Sequence, residues 1–256
     1  MTLRISTALR NHVLSGGSLK DTLNGGKILI YSGAQPATAD AAPTGTLLAT
    51  ITANSLAHTA EVQATGTITL SGSAGSVDGV TVDGVSIIDT AVPFDTSLAV
   101  TAANLAAAIN SSASNPEYTA SAAGAVVTIK AKRGAGSTAN GLVIAATLTT
   151  LTATYAALSG GVSAANGLKF GSAAAGVLPK LPAQVWSGAA VATGTAGWFR
   201  FVGAVADSGA LDAAENEIRL DGSISTSGAQ LNMSSTTVTA SATQTIASFP
   251  ITLPTS

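Results

Sequence analysis

Apolar positions in this chain fall into short alternating runs, broken every few residues by Gly, Ser, Thr or Asn. Lys27-Ile28-Leu29-Ile30-Tyr31, closed by Ser32-Gly33, predicts a buried strand. Residues 47–52 predict another, with Leu48 and Thr50 facing away from Leu47, Ala49 and Ile51. Two short helices precede them. Ser6 is the expected N-cap of the first, with Leu9 and Val13 on one face and Gly16-Gly17 as the stop. Ser18 caps the second, with Leu19 and Leu23 on one face and Gly25-Gly26 as the stop. Gln35-Pro36 through Pro43 reads as a surface loop.

From residue 65 a second, self-contained pattern begins. Ile68 and Leu70 alternate with Thr67 and Thr69, and Val82-Asp83-Gly84 supplies the turn of a hairpin over residues 80–88. Asp95 or Thr96 can cap a helix over 98–110, whose Leu98, Thr101, Leu105, Ala108 and Ile109 fall near one stripe, and Asn115-Pro116 ends it. Residues 118–122, 126–131 and 142–146 read as three further strands, punctuated by Gly134–Gly136 and Asn140-Gly141. After Gly167 the first pattern returns in strands at 168–170, 185–191, 197–205, 218–224 and 236–253, with Asp221-Gly222 marking a hairpin. Phe199 and Phe201 share one face of their strand, which predicts that this face lies in the core.

Both flanks are needed to make one sheet fold, so residues 62–163 read as a domain inserted into an exposed loop of a host domain. The expected class is mainly β. A β-sandwich or jelly-roll-like host, 1–61 plus 164–256, carries a short N-terminal helical segment. A small α+β domain, 62–163, with one helix against a curled sheet, interrupts it.

Composition narrows the partners. Charged residues make up 9% of the chain, far below the roughly 25% usual in soluble domains, so solubility rests on Ser and Thr. Much of the exterior is then expected to be covered by neighbouring subunits, in a homo-oligomer, with an exposed low-charge surface as the alternative. Mean hydropathy is +0.43, yet no stretch approaches the ~20 apolar residues of a membrane span, and no membrane partner is expected. The net charge of −2 with scattered Lys and Arg argues against nucleic acid. Lys130, Lys132 and Arg133 form the one basic cluster, and their alternation with Ala131 marks a solvated strand face. Absence of cysteine excludes disulfides and cysteine-based zinc sites. The first seventeen residues hold no uninterrupted apolar run of the secretory kind, so cytoplasmic synthesis is expected.

The chemistry-bearing residues do not assemble into a catalytic set by spacing. His12 falls in the first helix and His58 in a loop, neither paired in sequence with a nucleophile or metal ligand. Asp78, Asp83 and Asp89 lack the calcium-loop pattern, and turns account for the two Asp-Gly pairs. Gly134–Gly141 is glycine-rich but lacks the Gly-Lys-Ser/Thr ending of a phosphate loop, and a flexible connection is expected there. Asp212, Glu215 and Glu217 form an acidic run without the aromatic platforms of a glycosidase, and a solvated loop is expected. Phe94, Tyr118 and Tyr155 are the inserted domain's aromatics. No catalytic, cofactor-binding or metal residue is assigned, and a non-enzymatic protein is expected.

Several strings carry a resemblance. They include Leu9-Arg10-Asn11, Gly16-Gly17-Ser18-Leu19-Lys20-Asp21, Ile30-Tyr31-Ser32-Gly33-Ala34-Gln35-Pro36 with Ala39-Asp40-Ala41-Ala42, and Trp186-Ser187-Gly188. Thr193-Gly194-Thr195-Ala196-Gly197-Trp198-Phe199-Arg200-Phe201 and Asp221-Gly222-Ser223-Ile224 continue the set. In these the flanks resemble a family of small tailed-bacteriophage virion proteins. The middle segment resembles a module of phage tail and sheath-type proteins in its Gly66-Thr67-Ile68-Thr69-Leu70 strand, Val82-Asp83-Gly84-Val85 hairpin and Leu105-Ala106-Ala107-Ala108-Ile109-Asn110 helix. The resemblance implies a head decoration or cement protein on the virion, with the major capsid protein as partner and a trimer as assembly. A tail, collar or head–tail junction component is the alternative. A surface carbohydrate- or receptor-binding module is the alternative from another class.

Overall fold

The computed structural model describes residues 3–15, 17–112 and 118–252. The expected stops at Gly16 and Asn115-Pro116, and the strand end at Leu253, lie outside them. The chain is mainly β, with 41% of it in strands and 13% helical. It divides into two compact units, Met1–Ala60 with Ala164–Ser256, and Glu61–Ser163.

In the first unit one antiparallel path runs Arg4–Ile5, Arg219–Ser225, Gly194–Val202, Lys27–Ser32, Leu47–Ala53, Trp186–Ala189 and Thr243–Ile246. Strands from both flanks interleave, so neither flank closes the sheet alone. Helices Thr7–Leu14 and Leu19–Leu23 start at Ser6 and Ser18, whose side chains accept from Leu9 N and Asp21 N. Leu9 is buried but Val13 is 38% exposed, so the first helix seats only its initial turn.

The core face carries Ile28, Ile30, Phe199, Phe201 and Leu220, packed with Phe170, Trp186 and Phe249. Phe249 sits centrally, with ring centroids 5.3 Å from Phe199 and 5.7 Å from Trp186. Each such side chain, taken from water, contributes about 1.5–3 kcal/mol.

Four sequence expectations need correction here. Leu48 joins Ala49 and Ile51 in the core because the pairing register shifts between Ile30 and Tyr31, which breaks the alternation. Asp221-Gly222 is not a hairpin turn but lies mid-strand in Arg219–Ser225, with Gly222 opposite Phe199. Glycine is required there by close approach, since a Cβ would lie 2.6 Å from the Phe199 ring. Residues 168–170 form isolated bridges rather than a strand, and the 236–253 stretch breaks into three short strands.

The second unit holds two four-stranded antiparallel sheets rather than one curled sheet. In one, Ser76–Val82 pairs with Ile144–Thr149, Val85–Ser86 and Val92–Pro93. The other runs Thr152–Ser159, Thr65–Ser71, Val126–Lys130, Thr119–Ala123. Asp83 (φ 50) and Gly84 (φ 80) form the tight turn between Val82 and Val85. Helix Leu98–Ser111 packs Ala102, Leu105, Ala106 and Ile109 into a core with Ile68, Leu70, Val127 and Ile129. Its N-cap is Ser97, not Asp95 or Thr96. Ser97 accepts from Val100 N, while Thr96 takes φ 31 and the Asp95 carbonyl accepts from the Thr101 hydroxyl. At the other end Asn110 bonds Ala120 twice, donating to its carbonyl (2.9 Å) and accepting from its N–H (2.7 Å).

Candidate functional site

The structure disperses the residues that sequence singles out. His12 is half-buried in the first helix. The His58 Nε2 lies 2.8 Å from the Gly25 carbonyl, and burial pushes its pKa below the usual histidine value, against the pull of that hydrogen bond. Asp78 accepts from the Ser76 and Thr149 hydroxyls (2.5 and 2.7 Å), which hold its carboxyl below the usual range. Asp83 sits at the hairpin tip, and Asp89 accepts from the Ser112 hydroxyl near the helix end. No group of three or more His, Cys, Asp or Glu able to hold a metal ion occurs among the described residues. Lys130 and Lys132 are exposed on either side of buried Ala131.

Two expected loops are more structured than their composition indicates. Asp212 is buried, not solvated, because its carboxylate accepts from Asn216 N (3.0 Å) and Glu217 N (2.7 Å), while Glu215 stays exposed at φ 54. Gly134–Gly141 is not a slack connection. It contains a short 3-10 turn, Gly136–Ala139, and its backbone amides bind the Glu61 carboxylate. Glu61 itself falls in the second unit. Of the second unit's aromatics, Tyr118 is buried, Phe94 packs partly on the core and Tyr155 is 42% exposed.

Two buried ion pairs lie on the face of the first sheet opposite Phe199 and Phe201. Alternation puts Trp198 and Arg200 on that face, and register sets Asp221 beside Arg200. Arg200, 1% exposed, donates through Nε and Nη2 to both Asp221 oxygens (2.8 and 2.7 Å) and through Nη1 to the Ala41 carbonyl (2.9 Å). Arg219 holds Asp207 in the same two-pronged way (2.6 and 2.8 Å) and the Asp40 carbonyl at 3.1 Å. Arg4 donates to the Pro36 carbonyl. The Asp40 carboxylate accepts from Thr7 N and Oγ1, both at 2.9 Å.

Three arginines thus fasten the 35–44 loop through its backbone carbonyls. Beneath it Tyr31 stacks on Trp198 at 4.6 Å, and the Arg200 guanidinium lies 5.5 Å from the Trp198 ring. Burial pushes the Asp221 carboxyl above the usual carboxylate range, against the pull of Arg200, and likewise raises the Tyr31 phenol. The network acts as a fastener whose donors point inward. A signal for it existed in the string Trp198-Phe199-Arg200-Phe201, where a charge alternates with core aromatics and therefore needs a partner on the other face.

A contrasting surface lies on the second unit. Its Thr152–Ser159 sheet turns Ile68, Leu70, Val127 and Ile129 to the core and hydroxyls to the other side. Ala156, Thr67, Thr128 and Ser121 form one row across all four strands, and Thr65, Lys130 and Thr119 form part of the next. That face is small-chained and nearly neutral, with polar groups that can donate and accept. No helix among the described residues is long and apolar enough to cross a membrane. No family model, curated protein or solved structure matches the chain.

Proposed function

We propose that the chain is a non-enzymatic structural protein of a tailed-bacteriophage virion, a head decoration protein that binds the major capsid protein on the assembled shell. The observation that carries this reading is the hydroxyl-lined, nearly uncharged sheet face of the second unit. Such a face suits adhesion through many modest contacts, which gain strength when copies are arrayed on a lattice. The inward-turned arginine network supports the same reading, because its buried ion pairs hold the fold together rather than face a partner. On this reading the first unit is a sandwich of jelly-roll type, the second is a domain inserted into it, and copies associate as trimers at local symmetry points of the shell. The protein would be made in the host cytoplasm and reside in the virion.

Quantifying the protein in purified virions, and comparing the heat resistance of particles with and without it, tests the proposal. Many copies per particle and loss of heat resistance on removal are expected, since a ligand of the assembled lattice stabilises it by mass action. A handful of copies at the tail would overturn the decoration role in favour of a tail or collar component, the reading favoured by the second unit's sheath-like strings. Absence from virions would overturn the structural class.

A further inference from the structure

The entry to the second unit contains a buried charge. Glu61 is 3% exposed. The Gly134 N–H is shared between its two carboxylate oxygens at 2.8 Å each, and the Gly136 N–H reaches Oε1 at 3.1 Å. Around that carboxylate the backbone alternates in hand, with Gly134 at φ +81, Ala135 right-handed at φ −76 and ψ −39, and Gly136 at φ +47. This alternation turns backbone N–H groups to one side and makes a concave cradle for anionic oxygens. Gly136 has no room for a side chain either, because a Cβ would lie 2.5 Å from Ser163 Cα.

We propose that the Gly134–Gly136 loop is an oxyanion-binding nest whose resident ligand is the chain's own Glu61 carboxylate, and that this internal ligand locks the unit shut where the chain enters and leaves it. The exit is tied to the same loop. The Asn140 amide accepts from Gly161 N (2.7 Å) and donates to Gly161 O (2.9 Å), and Ser137 N donates to the Ser163 hydroxyl (3.1 Å). Val62 and Val162 exchange two backbone bonds of 2.9 Å between entry and exit. On the entry side Ala131 N donates to Ala64 O (2.8 Å) and the Gln63 amide to Ala131 O (2.6 Å). Glu61 is the one acid in this set of contacts, so it supplies the charge that the nest selects. The ligand class is a small planar carboxylate.

The test uses the full chain as wild type, Glu61→Ala and Glu61→Gln, with amide exchange at Gly134 and Gly136 read by NMR. Each is titrated with sodium formate against sodium chloride at equal ionic strength. In Glu61→Ala the two amides exchange about tenfold faster or more, as expected for loss of hydrogen bonds to a charged acceptor. Formate, but not chloride, restores their protection along a saturable curve. Wild type shows no formate response, because the Glu61 carboxylate already fills the nest, and Glu61→Gln responds less than Glu61→Ala, because its amide offers a single neutral oxygen. Unchanged protection in Glu61→Ala, or a folded variant indifferent to formate, would overturn the proposal. Should Glu61→Ala fail to fold, scalar couplings across the hydrogen bonds from the Gly134 and Gly136 nitrogens to the wild-type Glu61 carboxylate carbon decide. Their presence supports the nest and their absence overturns it.

Discussion

Replacing Gly222 with alanine separates a strand interior from a hairpin tip. In the structure the new methyl would meet two Phe199 ring carbons at 2.6 and 2.7 Å and the Gln230 Cβ at 3.0 Å, all inside ordinary contact distance. Phe199 is wholly buried and wedged against Phe249, so its ring has little freedom to withdraw. Overpacking of this kind costs about 1–3 kcal/mol. For a unit of this size that lowers the melting temperature by roughly 2–12 °C. The assay is convenient because both tryptophans, Trp186 and Trp198, belong to the first unit, so tryptophan emission follows that unit alone. Urea midpoints of Gly222→Ala, Phe199→Leu and the double variant complete a cycle. With the ring removed, the methyl has space, and most of the alanine penalty should vanish. A Gly222→Ala midpoint within about 0.5 kcal/mol of wild type, or strictly additive effects, would refute the strand placement.

Phe201→Ala should cost about 3–5 kcal/mol by the same fluorescence assay, and an unchanged midpoint would show that its face is not core. Arg200→Met should destabilise the first unit at neutral pH and raise amide exchange across residues 35–44, whose Ala41 carbonyl loses its shorter donor and keeps only Arg219 Nη1 at 3.5 Å. Its loss should shrink on acidification. Burial already raises the Asp221 carboxyl, removal of Arg200 raises it further, and a raised folded-state value means stability falls as pH rises through it; a pH-independent deficit would contradict this. His58 works in the opposite sense, for its folded value is lowered. Its contribution is complete above the unfolded value near 6.5 and is lost as pH falls through the folded one, so His58→Gln should flatten the melting-temperature profile between about pH 7 and 5. A profile parallel to wild type would count against it.

Local signals were legible where one short-range interaction decides the outcome. Ser6 and Ser18 cap their helices because each hydroxyl accepts the otherwise free N–H three residues on. Asp83-Gly84 turns the chain because both residues accept positive φ. Signals failed where tertiary packing overrode them. Asp221-Gly222 has turn composition, yet the carboxylate pairs with Arg200 and the glycine makes room for a ring, both distant in sequence. Strand Thr152–Ser159 was missed because only Leu158 is buried, leaving no apolar alternation to read. The partners of the arginine network, signalled only by Arg200 among core aromatics, and the whole Glu61 nest were hidden for a related reason. Arg200 and Arg219 reach backbone carbonyls 159 and 179 positions away and meet Asp221 and Asp207 only in the folded chain. The nest joins residues 73 positions apart, and none of this is marked in the sequence.

Asn110 has a further consequence for the strand it touches. Thr119–Ala123 ends its sheet, and a bare terminal strand invites another chain to extend the ladder. The Asn110 side-chain amide gives Ala120 one acceptor and one donor, the same pair of bonds that an incoming strand would offer. It therefore occupies the rung at which cross-chain polymerisation would begin. The segment has neither the lysines nor the prolines that commonly protect such an edge. This edge is accordingly guarded at one rung by a neutral side chain anchored in the last turn of a helix, whose loss would appear first as self-association and only later as a lower melting point.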